Sequence, residues 1–153
     1  ITIMSNKYSE NDDAVFFGID FGLKKIGVAI SQNITKKASP LAIIYNKRNI
    51  INWNELDQII ITWSPKIIIV GQPAVKKENN FTRALDSFNK QLSERYSDRL
   101  KIIKYSEEYT TEESKGLYRE MRQNHEKINK KYHLDDVSAS IILQSWLNEN
   151  MIS

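Results

Sequence analysis

Asp20 is the residue of this chain whose surroundings most invite chemistry. It closes the apolar run Val15–Ile19 and stands in the stretch Gly18-Ile19-Asp20-Phe21-Gly22-Leu23-Lys24-Lys25-Ile26-Gly27. A carboxylate at the end of a buried strand costs on the order of several kcal/mol unless a cation or hydrogen-bond donors compensate it. Gly18 and Gly22 permit close backbone approach beside it. Lys24 and Lys25 bring two positive charges to the tip of the turn that follows. An acid among glycines and lysines points to a metal and a phosphate.

Two plainer readings fit the same residues. Asp20 can cap a turn through its own backbone, as Asp often does. The Gly-x-Asp-x-Gly spacing also suits the phosphate-binding hairpin of an actin-like or sugar-kinase-like ATPase. Those enzymes close two domains around the nucleotide, and 153 residues make about one domain. Further acids fall at informative places. Glu107 and Glu108 come two and three residues after the candidate strand Leu100–Tyr105, and Asp135 and Asp136 open the last helical pattern. Taken singly, the Glu pair suits a solvated turn and the Asp pair a helix cap. Acids at the ends of three core elements suit a site, because α/β sheets place sites at strand ends.

The elements that must position these acids follow from periodicity. Val15–Ile19 and Ile26–Ile30 read as a hairpin of buried strands, and Leu41–Tyr45 as a third strand after the break at Lys36–Pro40. The spacing of Ile51, Leu56, Ile59, Ile60 and Trp63 predicts a helix over 50–63, stopped by Ser64-Pro65. Lys66–Gly71 is an unbroken apolar run of the kind covered on both faces. Leu85, Phe88 and Leu92 predict a helix over 81–96, and Leu100–Tyr105 is a fifth strand. Thr110 and Glu113 have capping-box spacing, Arg119–Tyr132 reads as a basic loop, and a closing helix runs from about Leu134 to Asn150. Trp146, Ile142 and Leu143 on it read as core. The order describes a single α/β domain over 14–150, a mixed five-stranded sheet with helices on both faces, after a loosely ordered segment over 1–13. Ile1-Thr2-Ile3 before Met4 reads as upstream material.

Composition narrows the function. There are no cysteines, which excludes a disulfide framework, a thiolate metal site and a Cys nucleophile. The basic excess, 22 Lys and Arg against 19 Asp and Glu, fits an anionic partner. Lys24, Lys25, Lys36, Lys37, Lys76 and Lys77 are candidates for a phosphate-gripping rim, with Arg83 beside them. His125 and His133 are the only histidines, and His133 is placed to assist proton transfer or is incidental. No run approaches the roughly 18 apolar residues of a membrane span, and no signal-peptide pattern opens the chain. A cytoplasmic protein without membrane contact is expected, monomeric or weakly dimeric.

Four motifs in order then resemble one family. Gly18–Ala29 looks like the opening signature of the YqgF family, Holliday-junction-resolvase-like nucleases with a ribonuclease H-like fold. Ile69-Val70-Gly71-Gln72-Pro73 resembles its Val-Gly-Leu-Pro element, and Ser106-Glu107-Glu108-Tyr109-Thr110-Thr111 its Asp-Glu-Arg-Leu-Thr-Thr element. Asp135-Asp136-Val137-Ser138-Ala139-Ser140 resembles the start of its closing helix. The resemblance implies Asp20, Glu107 and Asp135 as the catalytic and metal-binding acids, converging at one end of the sheet. Three hard carboxylates suit Mg²⁺ or Mn²⁺, and two such ions about 4 Å apart can clamp a phosphodiester for in-line attack by water. It implies 5′-end maturation of precursor 16S ribosomal RNA, with structured RNA and pre-ribosomal particles as partners. Resolution of branched DNA junctions, or nucleic-acid binding with weak catalysis, are the alternatives. The departures are Ser106 for the family's Asp, Glu108 for its Arg, Leu23 for a Thr, and Ala74-Val75-Lys76-Lys77 in place of its Asn- and Gly-bearing loop. Lys76, Lys77 or Arg83 could supply the phosphate contact that Glu108 removes.

Overall fold

The computed structural model describes residues 14–32, 35–106 and 137–150. Its five strands are β1 (Val15–Asp20), β2 (Lys25–Gln32), β3 (Ser39–Tyr45), β4 (Ile67–Gln72) and β5 (Lys101–Ser106). Its helices, among the described residues, are α1 (Trp53–Trp63), α2 (Asn80–Tyr96) and α3 (Ser138–Asn150). The strands form one sheet in the order β3-β2-β1-β4-β5. β2 is antiparallel to both β1 and β3, whereas β1, β4 and β5 are mutually parallel. The expected mixed sheet is present.

The alternation of β1 explains why both faces need helices. Phe17, Ile19 and Phe21 enter one core with Leu56 and Ile60 of α1 and Leu85, Phe88 and Leu92 of α2. Phe16 enters the other, with Ile67 and Ile69 of β4 and Ala139, Ile142, Leu143 and Trp146 of α3. Phe21 lies 4.9 Å from Phe88, ring to ring and tilted, on the first face, and Phe16 lies 6.1 Å from Trp146 on the second. A strand covered on both sides must be apolar where it is covered, as β1 is up to Ile19 and β4 up to Gly71. Among the described residues, no helix is long and apolar enough to cross a membrane.

Gly18 lets α3 press onto β1. A Cβ there would come 2.6 Å from Leu143 Cβ and 2.7 Å from the Ala139 carbonyl oxygen. Phe16, two residues earlier, meets Trp146, seven residues past Ala139. The helix therefore runs antiparallel to β1, with its N-terminal end toward Asp20.

The boundaries differ from expectation where side chains decide them. α1 starts at Trp53 because Asn52 caps it, its side-chain oxygen accepting from Glu55 N at 3.2 Å. Ile50, expected inside the helix, is left 69% exposed. Trp63, expected on the apolar side, is 40% exposed, because only Leu56 and Ile60 of the helix are buried and Trp63 is its last residue. β3 reaches back through Pro40, which an edge strand tolerates. A register shift accommodates it, Val28 pairing with Ala42 and Ala29 with Pro40. α2 begins with a capping box between Asn79 and Thr82, Thr82 N donating to Asn79 Oδ1 at 2.9 Å and Asn79 N to Thr82 Oγ1 at 3.1 Å. The Thr110–Glu113 capping box, the 119–132 loop, both histidines and residues 134–136 lie outside the described residues.

Candidate nucleic-acid-processing site

The site is built where the parallel strands end. Ile19 pairs with Val70, and Val70 with Lys104. Asp20, Gly71 and Tyr105 each come next, so the ends of β1, β4 and β5 share one edge of the sheet. By strand alternation Asp20 follows Phe16 and Gly18 onto the α3 face, and it is half-buried. Tyr105 of β5 packs on that same face. β5 ends at Ser106, one residue before Glu107, and α3 presents its N-terminal end to this edge. Glu107, Glu108 and Asp135 themselves lie outside the described residues. Among the described residues no cluster of three or more His, Cys, Asp or Glu is present.

Asn46 shapes the turn after Asp20. Its side-chain amide donates to the carbonyls of Gly22 at 3.2 Å and Leu23 at 3.1 Å, and its backbone N to that of Lys24 at 2.8 Å. The β1–β2 turn is thereby fixed to the end of β3, and Lys24 and Lys25 with it. An Asn directly after a strand is the sequence signal that marks this position. At the end of β4, Gln72 turns to the opposite face. Its Oε1 accepts from Asn89 Nδ2 of α2 at 3.2 Å, and its Nε2 donates to the Val70 carbonyl at 3.1 Å. Asn89 is buried, so this pair ties the strand end to α2.

Strand direction decides which basic residues belong to the edge. Lys24 and Lys25 lie between the end of β1 and the start of β2. Lys76 and Lys77 follow the end of β4, and Arg83 is in the first turn of α2, which leads away from it. All five are at the Asp20 edge. Lys36 and Lys37 are not. Gln32 pairs with Val15, the first residue of β1, and Lys36 N donates to Gln32 O at 3.0 Å. The β2–β3 connection thus lies at the opposite edge, which removes both lysines from the expected rim. Gln144 of α3 secures it there, accepting from Ala38 N at 2.9 Å and donating to Lys36 O at 3.1 Å.

The rim cations are not equivalent. Lys76 pairs with Asp86 at 3.1 Å and Arg83 with Glu78 at 3.4 Å, all four side chains more than half exposed. Exposed pairs of this kind are worth roughly 0–1 kcal/mol and are readily surrendered to a phosphate. Lys24 forms no ion pair with any described residue. Thr82 Oγ1 donates to the Lys77 carbonyl, holding the backbone of the β4–α2 loop while leaving the Lys77 side chain exposed.

The chain is similar to known proteins in sequence and in fold. A "Putative pre-16S rRNA nuclease" of Legionella pneumophila (strain Paris) is 38% identical over 138 residues, spanning 89% of this chain and 96% of the relative. Another of that name, from Blochmanniella floridana, is 36% identical over 140 residues, spanning 90% and 96%. Among solved structures, the Fowlpox virus resolvase in complex with Holliday junction DNA superposes with a TM-score of 0.59 at 16% identity, covering 88% of this chain and 97% of that one. RuvC of T. thermophilus in complex with a Holliday junction substrate gives 0.56 at 12% identity, covering 89% and 94%. These likenesses establish the ribonuclease H-like fold. Residues 14–149 match the family model described as RuvX: Holliday junction resolvase, and with the relatives above this places the chain in the RuvX (YqgF) family.

Proposed function

We propose that the chain is a metal-dependent nuclease that hydrolyses phosphodiester bonds at the Asp20 edge, in 5′-end maturation of precursor 16S ribosomal RNA. The observation that carries this is convergence. Asp20, the end of β5 and the N-terminal end of α3 come to one edge of the sheet, where Glu107 follows directly on β5 in sequence and Asp135 and Asp136 precede α3. The donor set fits a hard divalent cation: three carboxylates, no cysteine, and a half-buried strand-end position that disfavours an uncompensated charge. Asp20, Glu107 and Asp135 would hold Mg²⁺ or Mn²⁺, two ions suiting three carboxylates. When bound, the metal supplies activation of the attacking water and neutralises charge at the leaving oxygen.

The chain's own cations do the rest. Lys24 and Lys25, held by Asn46, bind the phosphate backbone next to the acids. Lys76, Lys77 and Arg83 bind it beyond the end of β4, giving up weak protein pairs to do so. The names of the relatives favour ribosomal RNA. The family description and the junction-bound structures favour branched DNA as the second substrate.

The test is a cleavage panel with Mg²⁺, Mn²⁺ or Ca²⁺, using an RNA with an extended 16S 5′ end and a four-way DNA junction. Parent protein is expected to cut the RNA at a defined position. Asp20→Asn should lose more than about 100-fold, since losing even a supporting partner of a metal ligand costs up to about that much. A folded parent that binds but cuts neither substrate with any metal is a binding factor, and the nuclease reading falls.

A further inference from the structure

The β3–α1 connection at the same edge carries charge that the site described above does not use. Lys47 and Ile50 close a two-residue turn, Ile50 N donating to Lys47 O at 2.8 Å and Lys47 N to Ile50 O at 3.2 Å. The central residues, Arg48 and Asn49, have φ of 53° and 62°. Left-handed φ at both positions is the type I′ geometry, for which Asn-Gly is the favoured sequence. Asn49 suits it, but an arginine at Arg48 is strained where Asn or Gly would rest.

Position and charge give that arginine a role. Lys25 pairs with Tyr45, the last residue of β3, so the turn beginning at Lys47 rises from the edge that holds Lys24 and Asp20. Lys24, Lys47 and Arg48 are all exposed, and none forms an ion pair with a described residue. Glu55 is the acid nearest in sequence to the Lys47–Ile50 turn, and its carboxylate accepts from Asn52 Nδ2 at 3.2 Å. Beside the cations are two large, partly exposed side chains, Tyr45 at 57% and Ile50 at 69%. Cations interleaved with an exposed aromatic are the combination that grips a phosphate backbone and packs against its bases. β3 is two strands from β1, about 10 Å across the sheet, or roughly three nucleotides of one duplex strand.

We propose that the Lys47–Ile50 turn is a second polynucleotide contact, which with Lys24 carries the substrate backbone away from Asp20 over the ends of β2 and β3. It rests on the nuclease reading for its substrate. Its test does not depend on turnover. Binding of a fluorescent single-stranded RNA, an RNA hairpin and a four-way DNA junction is measured without divalent metal at several salt concentrations. The variants are K47Q/R48Q, Arg48→Lys and Arg48→Asn.

The double variant should bind its preferred probe about 10-fold more weakly at low salt, with the slope of log affinity against log salt flattened by about 2, one phosphate contact for each charge removed. Arg48→Lys should keep most of the affinity. Arg48→Asn should bind several-fold more weakly and yet melt at a higher temperature, because it removes the charge and relieves the turn together. Which probe responds most identifies RNA or DNA. If the folded double variant matches the parent in affinity and salt slope on every probe, the turn is not a polynucleotide contact, and a protein-docking role takes its place. A parent that binds through the turn but never cleaves overturns the nuclease reading alone. A parent that cleaves while the double variant binds normally overturns this proposal alone.

Discussion

At the scale of single residues, two positions show how little room the sequence leaves. Asp20 is set apart because every other side chain of β1 is apolar or absent, and that contrast was legible from the primary structure. Gly18 was legible only as a glycine. Its partners, Leu143 and the Ala139 carbonyl, are more than 120 positions away, and no local pattern names them. They explain why the position is glycine. The expected outcome is that Gly18→Ala destabilises the protein by about 1–3 kcal/mol, the usual range for overpacking a filled core. Leu143→Ala should not rescue it, because the collision is with Leu143 Cβ and with backbone, both of which alanine keeps. Thermal melting of the single and double variants checks this. A Gly18→Ala protein that melts with the parent would show that α3 can lift from β1 without cost. At Arg48 the sequence signal was weaker still: an Arg-Asn pair does not announce a type I′ turn, and only the two positive φ values reveal it.

At the scale of elements, the seam between α1 and α2 illustrates a polar solution at the margin of an apolar core. Tyr96 OH donates to Asp57, and Arg95 pairs with Asp57 at 2.8 Å while lying 4.2 Å over the Trp53 ring. Trp53 in turn donates to Gln91 Oε1 at 3.2 Å and stacks on Phe88 at 5.5 Å. Burial pushes the Tyr96 phenol up to about 12, and the hydrogen bond to the Asp57 carboxylate adds to the rise. A folded-state value above the unfolded one means that the neutral form is favoured by folding. The associated stability is fully present below about pH 10 and is lost as pH rises through about 12. Two such units correspond to a contribution on the order of 2–3 kcal/mol. Denaturant melts of the parent and Tyr96→Phe at pH 8, 10 and 12 should therefore converge with rising pH, the parent losing more. Parallel loss in both proteins would place the alkaline sensitivity elsewhere, in the lysines for example. Helix periodicity found both α1 and α2, but no spacing rule connects Asp57 to a tyrosine 39 positions on. Periodicity also put Trp63 in the core; it missed that the helix ends there and that its last residue faces out.

At the scale of the whole molecule, strand direction is what turns a list of residues into a site. The order of strands and helices, and the apolar runs on both sides of β1, were legible because burial imposes a period. Which loops share an edge was not, since it depends on whether each strand runs with β1 or against it. That is why Lys24, Lys76 and Arg83 fall at the edge where β1 ends at Asp20, while Lys36 and Lys37, equally basic in sequence, end at the far edge. The same logic yields a test of the acids that needs no substrate. If Asp20, Glu107 and Asp135 share a metal, the folded protein binds it and the unfolded chain does not, so the ion stabilises the fold by mass action. At a Mn²⁺ concentration about 100 times the dissociation constant this amounts to roughly 2.7 kcal/mol. Asp20→Asn keeps the shape of the side chain but offers a neutral amide, a poorer partner for a hard cation. If the three acids converge as proposed, the variant without metal should melt at or above the parent, because one of three like charges has gone. With Mn²⁺ the parent should rise by several degrees and the variant much less. A parent whose melting temperature ignores Mn²⁺ and Mg²⁺ at millimolar concentration would mean that the three acids do not form a common metal site. An Asp20→Asn protein that gains as much as the parent would move the ion elsewhere and leave Asp20 a structural residue of the strand end.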